Sequence, residues 1–232
     1  GVASFISGEV LNVAAAPQAT TTSVAHGAST ALLRAQYKNL AADSYRADIA
    51  AATGSGSSLG GVKFGGVLYT FRANAGGTAV NLWKSTTAGW SQITLHNEIS
   101  FTAGGLTQPA EGTTLTQGGV TATIKRVVLT SASSTWAAGT AAGRFIVANP
   151  AGGNFAGGAA TIGGINVTLS GAQTAITLLT GGRYQFVVAN FGGSINTRRI
   201  YGCDGVNKGF ELADDVYVPI ATGMSTDAPT NV

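Results

Sequence analysis

GGRYQFVVANFGGSINTRRIYGCDGVNKGFELADDVYVPI, residues 181–220, decides the fold. Residues 183–191 form one apolar, aromatic run, 198–201 a shorter one, and 210–220 a third. Gly192-Gly193 and Asp204-Gly205 supply turn chemistry between them, so the stretch reads as three antiparallel strands. An earlier stretch repeats it. GGVLYTFRANAGG begins at Gly65 and GGRYQFVVANFGG at Gly181, and at an offset of 116 positions the first Gly-Gly, the Ala-Asn and the second Gly-Gly pairs coincide. The Tyr-x-Phe inside each copy is out of step by one residue, which a bulge would allow. Each copy then reaches an aromatic, Trp83 or Tyr201, and a Gly-aromatic pair ending at Trp90 or Phe210. The reading is one β-meander used twice, with other material between the copies.

Composition supports an all-β chain. Its 232 residues suffice for one large or two small domains. Charged residues are only 10% against 44% hydrophobic, and 34 residues are Gly. Average domains carry roughly 25% charge, so this surface suits a chain held in an assembly or an extracellular β-protein. The aromatics and β-branched residues argue against disorder. Charge is distributed unevenly. From Lys125 to Lys208 there are seven basic residues and one acid, Asp204, whereas Glu211, Asp214, Asp215 and Asp227 follow. The basic zone can pair with the acidic one within the chain or with that of a neighbouring copy. No Lys/Arg run exceeds two residues, so no specific nucleic-acid readout is expected. No apolar run approaches the roughly 20 residues of a membrane span. Cys203, the single cysteine, reads as a small buried strand residue.

The organisation expected is therefore as follows. Residues 1–60 make an extended arm with one short helix over 32–52, where Leu33, Tyr37, Leu40, Ser44 and Ile49 follow helical spacing. TGSGSSLGG, residues 53–61, reads as a hinge. Residues 61–100 hold the first meander, blade-like in size, with strands at 62–64, 67–72, 80–84 and 90–95. Residues 101–179, rich in Gly and Thr, form an inserted small β-barrel or sandwich with strands at 121–129, 143–148, 160–167 and 175–178. Residues 180–223 hold the second meander, and 224–232 an extended tail.

Candidate chemistry is sparse. Gly56-Ser57-Ser58-Leu59-Gly60 matches the nucleophile-elbow pattern but lacks a strand before it and a helix after it. His26 and His96, the only histidines, have no partner at metal-ligand spacing. Asp204, Asn207, Glu211, Asp214 and Asp215 offer oxygens for a cation, yet not at EF-hand spacing. Asn166-Val167-Thr168 matches a glycosylation acceptor. No phosphate loop occurs. Trp136 and the other aromatics suit core packing or a stacking contact.

Residues 44–90, SYRADIAAATGSGSSLGGVKFGGVLYTFRANAGGTAVNLWKSTTAGW, resemble a segment of tailed-bacteriophage virion structural proteins, as do residues 181–212. GTTLTQGGVTATIKRVVLTSASSTWAAGTAAGRFIVANPAGGNFAGG, residues 112–158, is similar to a Gly/Thr-rich β-module of the same proteins. The resemblance covers most of residues 44–223, and its motifs are Gly, aromatic and turn patterns. It implies propeller-type tail or nozzle proteins around the DNA exit channel. Only two meanders are visible, whereas a closed propeller needs at least about four blades. The resemblance implies a non-enzymatic part of the phage particle without a cofactor. Its partners would be copies of itself in a symmetric assembly and other virion proteins of the connector, tail or fibre. The expected subunit contact sets Arg198, Arg199 and Lys208 against Glu211, Asp214 and Asp215 of a neighbour. The alternative is a receptor- or glycan-binding module, with Trp136 as its contact. A glycan depolymerase comes third, since it requires two carboxylates in one groove.

Overall fold

The computed structural model describes residues 10–13, 16–20, 30–48, 50–130, 135–191, 193, 197–221 and 227–230. The chain divides into two units, residues 1–50 and 51–232.

The first unit contains a hairpin of β1 (Val10–Val13) and β2 (Ala16–Thr20), and helix α1 (Ala31–Asp48). Thr30 caps the helix: Leu33 N donates to Thr30 Oγ1 at 3.2 Å, satisfying an otherwise free N–H of the first turn. Neither Asn39 nor Asp43 interrupts α1. Residues 4–6, β-like in sequence, lie outside the described residues.

The second unit is all-β. β3 (Ser55–Phe64), β4 (Val67–Ala73), β5 (Val80–Thr86) and β6 (Gly89–Ile93) form one antiparallel four-stranded sheet. β14 (Gln185–Ala189), β15 (Arg199–Cys203), β16 (Phe210–Ala213) and β17 (Val216–Pro219) form another. Between them in sequence come β7 (Asn97–Gly104), β8 (Thr114–Gln117), β9 (Val120–Leu129), β10 (Gly143–Ala151), β11 (Gly158–Ile162), β12 (Ile165–Leu169) and the short β13 (Thr174–Ala175). The order β10-β9-β8-β11-β12-β7, with β7 pairing back to β10, closes a six-stranded barrel. Closure removes the sheet edges that a thin, Gly-rich insertion would otherwise expose.

The sequence repeat is real at the level of a turn and three strands. Gly77 N bonds Asn74 O at 2.9 Å in the first copy, and Gly193 N bonds Asn190 O at 3.2 Å in the second. Both glycines have positive φ, 68° and 76°, which the turn requires. β4-β5-β6 therefore corresponds to β14-β15-β16. The first sheet adds β3 ahead of this unit, and the second adds β17 after it, on the opposite edge.

The two sheets share a core. Tyr69, Phe71, Val80, Leu82 and Ile93 of the first pack with Ile200, Phe210, Leu212 and Tyr217 of the second, joined by Tyr184 and Leu178. The barrel has a separate core around Ile99, Phe101, Leu115, Ile124, Phe145 and Ile162.

Three local expectations change. The stretch read as a hinge is mostly the long strand β3. Gly60 is selected by close approach: a Cβ there would lie 2.8 Å from Tyr184 Cβ, so only glycine admits the facing chain. The run 210–220 is not one strand but a hairpin turning at Asp214-Asp215, both at positive φ (51° and 61°). Residues 160–167 likewise hold a hairpin, β11 to β12, turning at Gly163-Gly164.

Candidate functional site

The described charges concentrate where the barrel meets the second sheet. Strand β17 alternates: Tyr217 points into the sandwich core, while Val216 and Val218 point the other way and pack with Ile146 of the barrel. Both faces of β17 are thereby buried. Around this apolar contact stand two arginines from the barrel exterior. Arg126 NH1 lies 3.3 Å from Glu111 Oε1, and its NH2 lies 3.7 Å from Glu211 Oε1. Arg199 Nε approaches the same Glu211 oxygen at 3.5 Å. Arg144 Nε lies 3.1 Å from Glu98 Oε2, and Arg144 also donates to the carbonyl of Pro219. Glu98, Arg126, Arg144 and Glu211 line one cleft of about 570 Å³.

This cleft holds two carboxylates, Glu98 and Glu211, as a depolymerase would require. Each faces a guanidinium, and the Arg126 side chain is only 13% exposed. Partly desolvated charges of this kind are stable only when paired. What the arrangement does physically is fix the barrel on the sandwich, with Arg126–Glu211 and Arg144–Pro219 as ties between the two. Sequence reasoning missed Glu98, Glu111, Arg126 and Arg144. The available signal was the position of Glu98, Arg126 and Arg144: charges beside or within apolar strand runs of a chain poor in charge.

A second polar cluster lies inside the sandwich end. Asp204 is buried at 6% exposure. Its Oδ1 accepts from Val206 N (3.0 Å) and Asn207 N (2.7 Å), and its Oδ2 accepts from Asn207 Nδ2 (2.6 Å). Asn207 also bonds both polar atoms of the Leu179 backbone, at 2.8 and 2.9 Å. Burial, with the Asp204 carboxylate alongside, holds the Tyr184 and Tyr217 hydroxyls well above the ordinary tyrosine range. The cluster ties the 204–207 turn to the chain leaving the barrel. Of the five oxygen-bearing residues considered for a cation, Asp204 and Asn207 thus satisfy each other, and Glu211 faces Arg126 and Arg199. Among the described residues, no group of three or more His, Cys, Asp and Glu could hold a metal ion.

Most of the residues expected at a subunit interface have partners within the chain. Arg199 pairs with Glu211, Lys208 lies 3.9 Å from Asp227, and Asp215 pairs with Lys84 of the first sheet. Arg198 is exposed, with its guanidinium 6.0 Å from the Phe64 ring centroid. Asp214 is exposed at the β16–β17 turn. The intrachain alternative for the charge asymmetry therefore accounts for most of these groups, because the 204–215 segment folds back beside its basic neighbours. Trp136, considered as a receptor contact, is 5% exposed and stacks on Phe101 in the barrel core, centroids 5.4 Å apart. Ser58 Oγ bonds Thr70 Oγ1 at 2.5 Å on a strand, without the turn into a helix that a nucleophile elbow needs. His96 is half-buried, and His26 lies outside the described residues.

Comparison with known proteins adds no identity. No family model matches the chain, and neither the curated proteins nor the solved structures give a match. Among the described residues, no helix is long and apolar enough to cross a membrane.

Proposed function

We propose that this chain is a non-enzymatic structural component of a tailed-bacteriophage particle, placed in the tail, nozzle or hub or in a head-to-tail connecting ring, and held there by copies of itself and by other virion proteins. The observation that carries the reading is the surface of α1. Leu33, Tyr37 and Leu40 recur at helical spacing and are 43%, 63% and 65% exposed, and Leu32 beside them is 69% exposed. Such a stripe on a folded chain marks a contact surface, since burying each large side chain yields about 1.5–3 kcal/mol. A surface with few charges adds support, because it presents little repulsion between identical copies.

The likeness of residues 44–90, 112–158 and 181–212 to phage structural segments supplies the setting. The role would be geometric: a rigid sandwich-and-barrel body, with the helix as the adhesive element. Light scattering of the purified chain tests this. A defined oligomer that dissociates when Leu33, Tyr37 and Leu40 are replaced by Ser supports the reading, and a concentration-independent monomer removes its basis.

A further inference from the structure

The barrel exterior carries a groove that the assembly reading does not use. Strands β8, β9, β11 and β12 turn Leu115, Ala122, Ile162 and Val167 into the barrel core. Their alternate residues face outward. The register places Thr121 opposite Thr116, Thr116 opposite Thr161, and Thr161 opposite Asn166. The result is one row of hydroxyl and amide side chains running across four strands, with Thr168 beside it on β12. The row steps at the interstrand spacing of about 4.8 Å, the length scale of a sugar residue within a chain.

Thr116, Thr161, Asn166 and Thr168 line a groove of about 470 Å³, and none of its lining residues is charged. Its floor is built from small residues, Gly105, Gly118 and Ala159, which leave the concavity open. Gln117 fixes one wall: its Oε1 accepts from Ala156 N at 2.8 Å and its Nε2 donates to Ala156 O at 2.9 Å. Thr161, Asn166 and Thr168 are exposed. Their outward position on exposed strand faces turns the donors and acceptors of Thr161, Asn166 and Thr168 toward solvent.

The chemistry of a matching ligand follows. Nucleic acids and acidic polymers would find no counter-charge here. An apolar surface would strand the hydroxyls without partners. A neutral, hydroxyl-rich chain would exchange its hydrogen bonds to water for bonds to this row. We propose that the groove bounded by Thr116, Thr161, Asn166 and Thr168 binds an uncharged polysaccharide, lying across the strands. Each site is shallow and without aromatic stacking, so single-site binding is weak and repeated copies strengthen it.

The test uses the full chain in affinity gel electrophoresis with dextran, mannan or galactan cast in the gel, against heparin and alginate as acidic controls. Retardation by at least one neutral polymer is expected, with none by the acidic ones. The double variant Thr161→Val/Thr168→Val keeps the β-branched shape and removes two hydroxyls. It should weaken retardation at least tenfold while leaving the circular dichroism spectrum and native mass unchanged. Asn166→Ala is the second variant should that pair fail to fold, and it should also weaken retardation. No retardation by any neutral polymer, retardation only by acidic ones, or unchanged retardation of the folded variants would overturn the proposal. Native mass is read on the same samples, so that a change in retardation at unchanged native mass reports on the groove and not on assembly.

Discussion

Tyr184 stacks on Phe71 with ring centroids 3.9 Å apart and 14° between their planes. The same Tyr184 donates its backbone N–H to Leu59 O at 3.0 Å. Phe71 belongs to the first sheet and Tyr184 leads into the second, so this pair joins the two meanders. Phe71 also meets Phe186, Phe210 and Tyr217, and is fully buried. Replacing it with Ala should cost about 3–5 kcal/mol, read as a lowered midpoint in urea. A loss below about 1 kcal/mol would mean that the sheets do not share this core.

Gly60 makes the same closure visible in another way. A hinge tolerates Ala, and Ala lowers the entropy of the unfolded chain. A strand pressed against Tyr184 does not tolerate it. Gly60→Ala should therefore destabilise by about 1–3 kcal/mol, whereas Gly171→Ala, at a position where φ is not positive and a Cβ meets nothing within 4 Å, should cost less. Equal, small effects at both positions would restore the hinge reading.

The tie between barrel and sandwich predicts energetic coupling. Arg126 and Glu211 have side chains 13% and 23% exposed, between a surface pair and a buried one. Arg126→Met should destabilise by about 1–3 kcal/mol, less than a fully buried pair would lose. Combined with Glu211→Gln, the total should fall short of the sum by at least about 0.5 kcal/mol. Additive losses in thermal unfolding would show that the two groups do not interact in solution.

His96 gives a pH dependence. Burial, reinforced by Lys125, holds its imidazole below the ordinary value. The folded chain therefore binds a proton at His96 less readily than the unfolded chain does. Its contribution is fully present above an unfolded value of about 6.5 and is lost as pH falls toward the lowered folded value. Between pH 7 and pH 5 the unfolding midpoint should fall more steeply in the native chain than in His96→Asn. Parallel profiles would remove His96 from the account.

Much of this architecture was legible in the residues. The Ala-Asn-x-Gly-Gly repeat marks the same turn twice, and the Gly/Thr-rich stretch between the copies marks the barrel. What was hidden depends on contacts distant in sequence. TGSGSSLGG looks like a linker because its need for glycine comes from Tyr184, more than a hundred positions away. Asp214-Asp215 lacks the glycine of a favoured two-residue turn, and its fixing contact, Lys84, lies in the other sheet. Trp136 looks like a surface anchor until the barrel closes around it. The Arg126–Glu211 pair arises only from the docking of barrel on sandwich, and the Arg144–Glu98 pair only from the closure of β7 on β10, neither of which a local pattern encodes. The row of Thr residues was visible as composition, but only strand register makes it a row.

The central claim, that this chain is built to be held by copies of itself, is tested most directly by its native mass. Light scattering coupled to size exclusion should give a discrete multiple of 23.1 kDa for the native chain. The Leu33→Ser/Tyr37→Ser/Leu40→Ser variant should give a monomer with an unchanged β spectrum. A native chain that remains monomeric over a hundredfold range of concentration would contradict the account, as would an oligomer indifferent to those three substitutions.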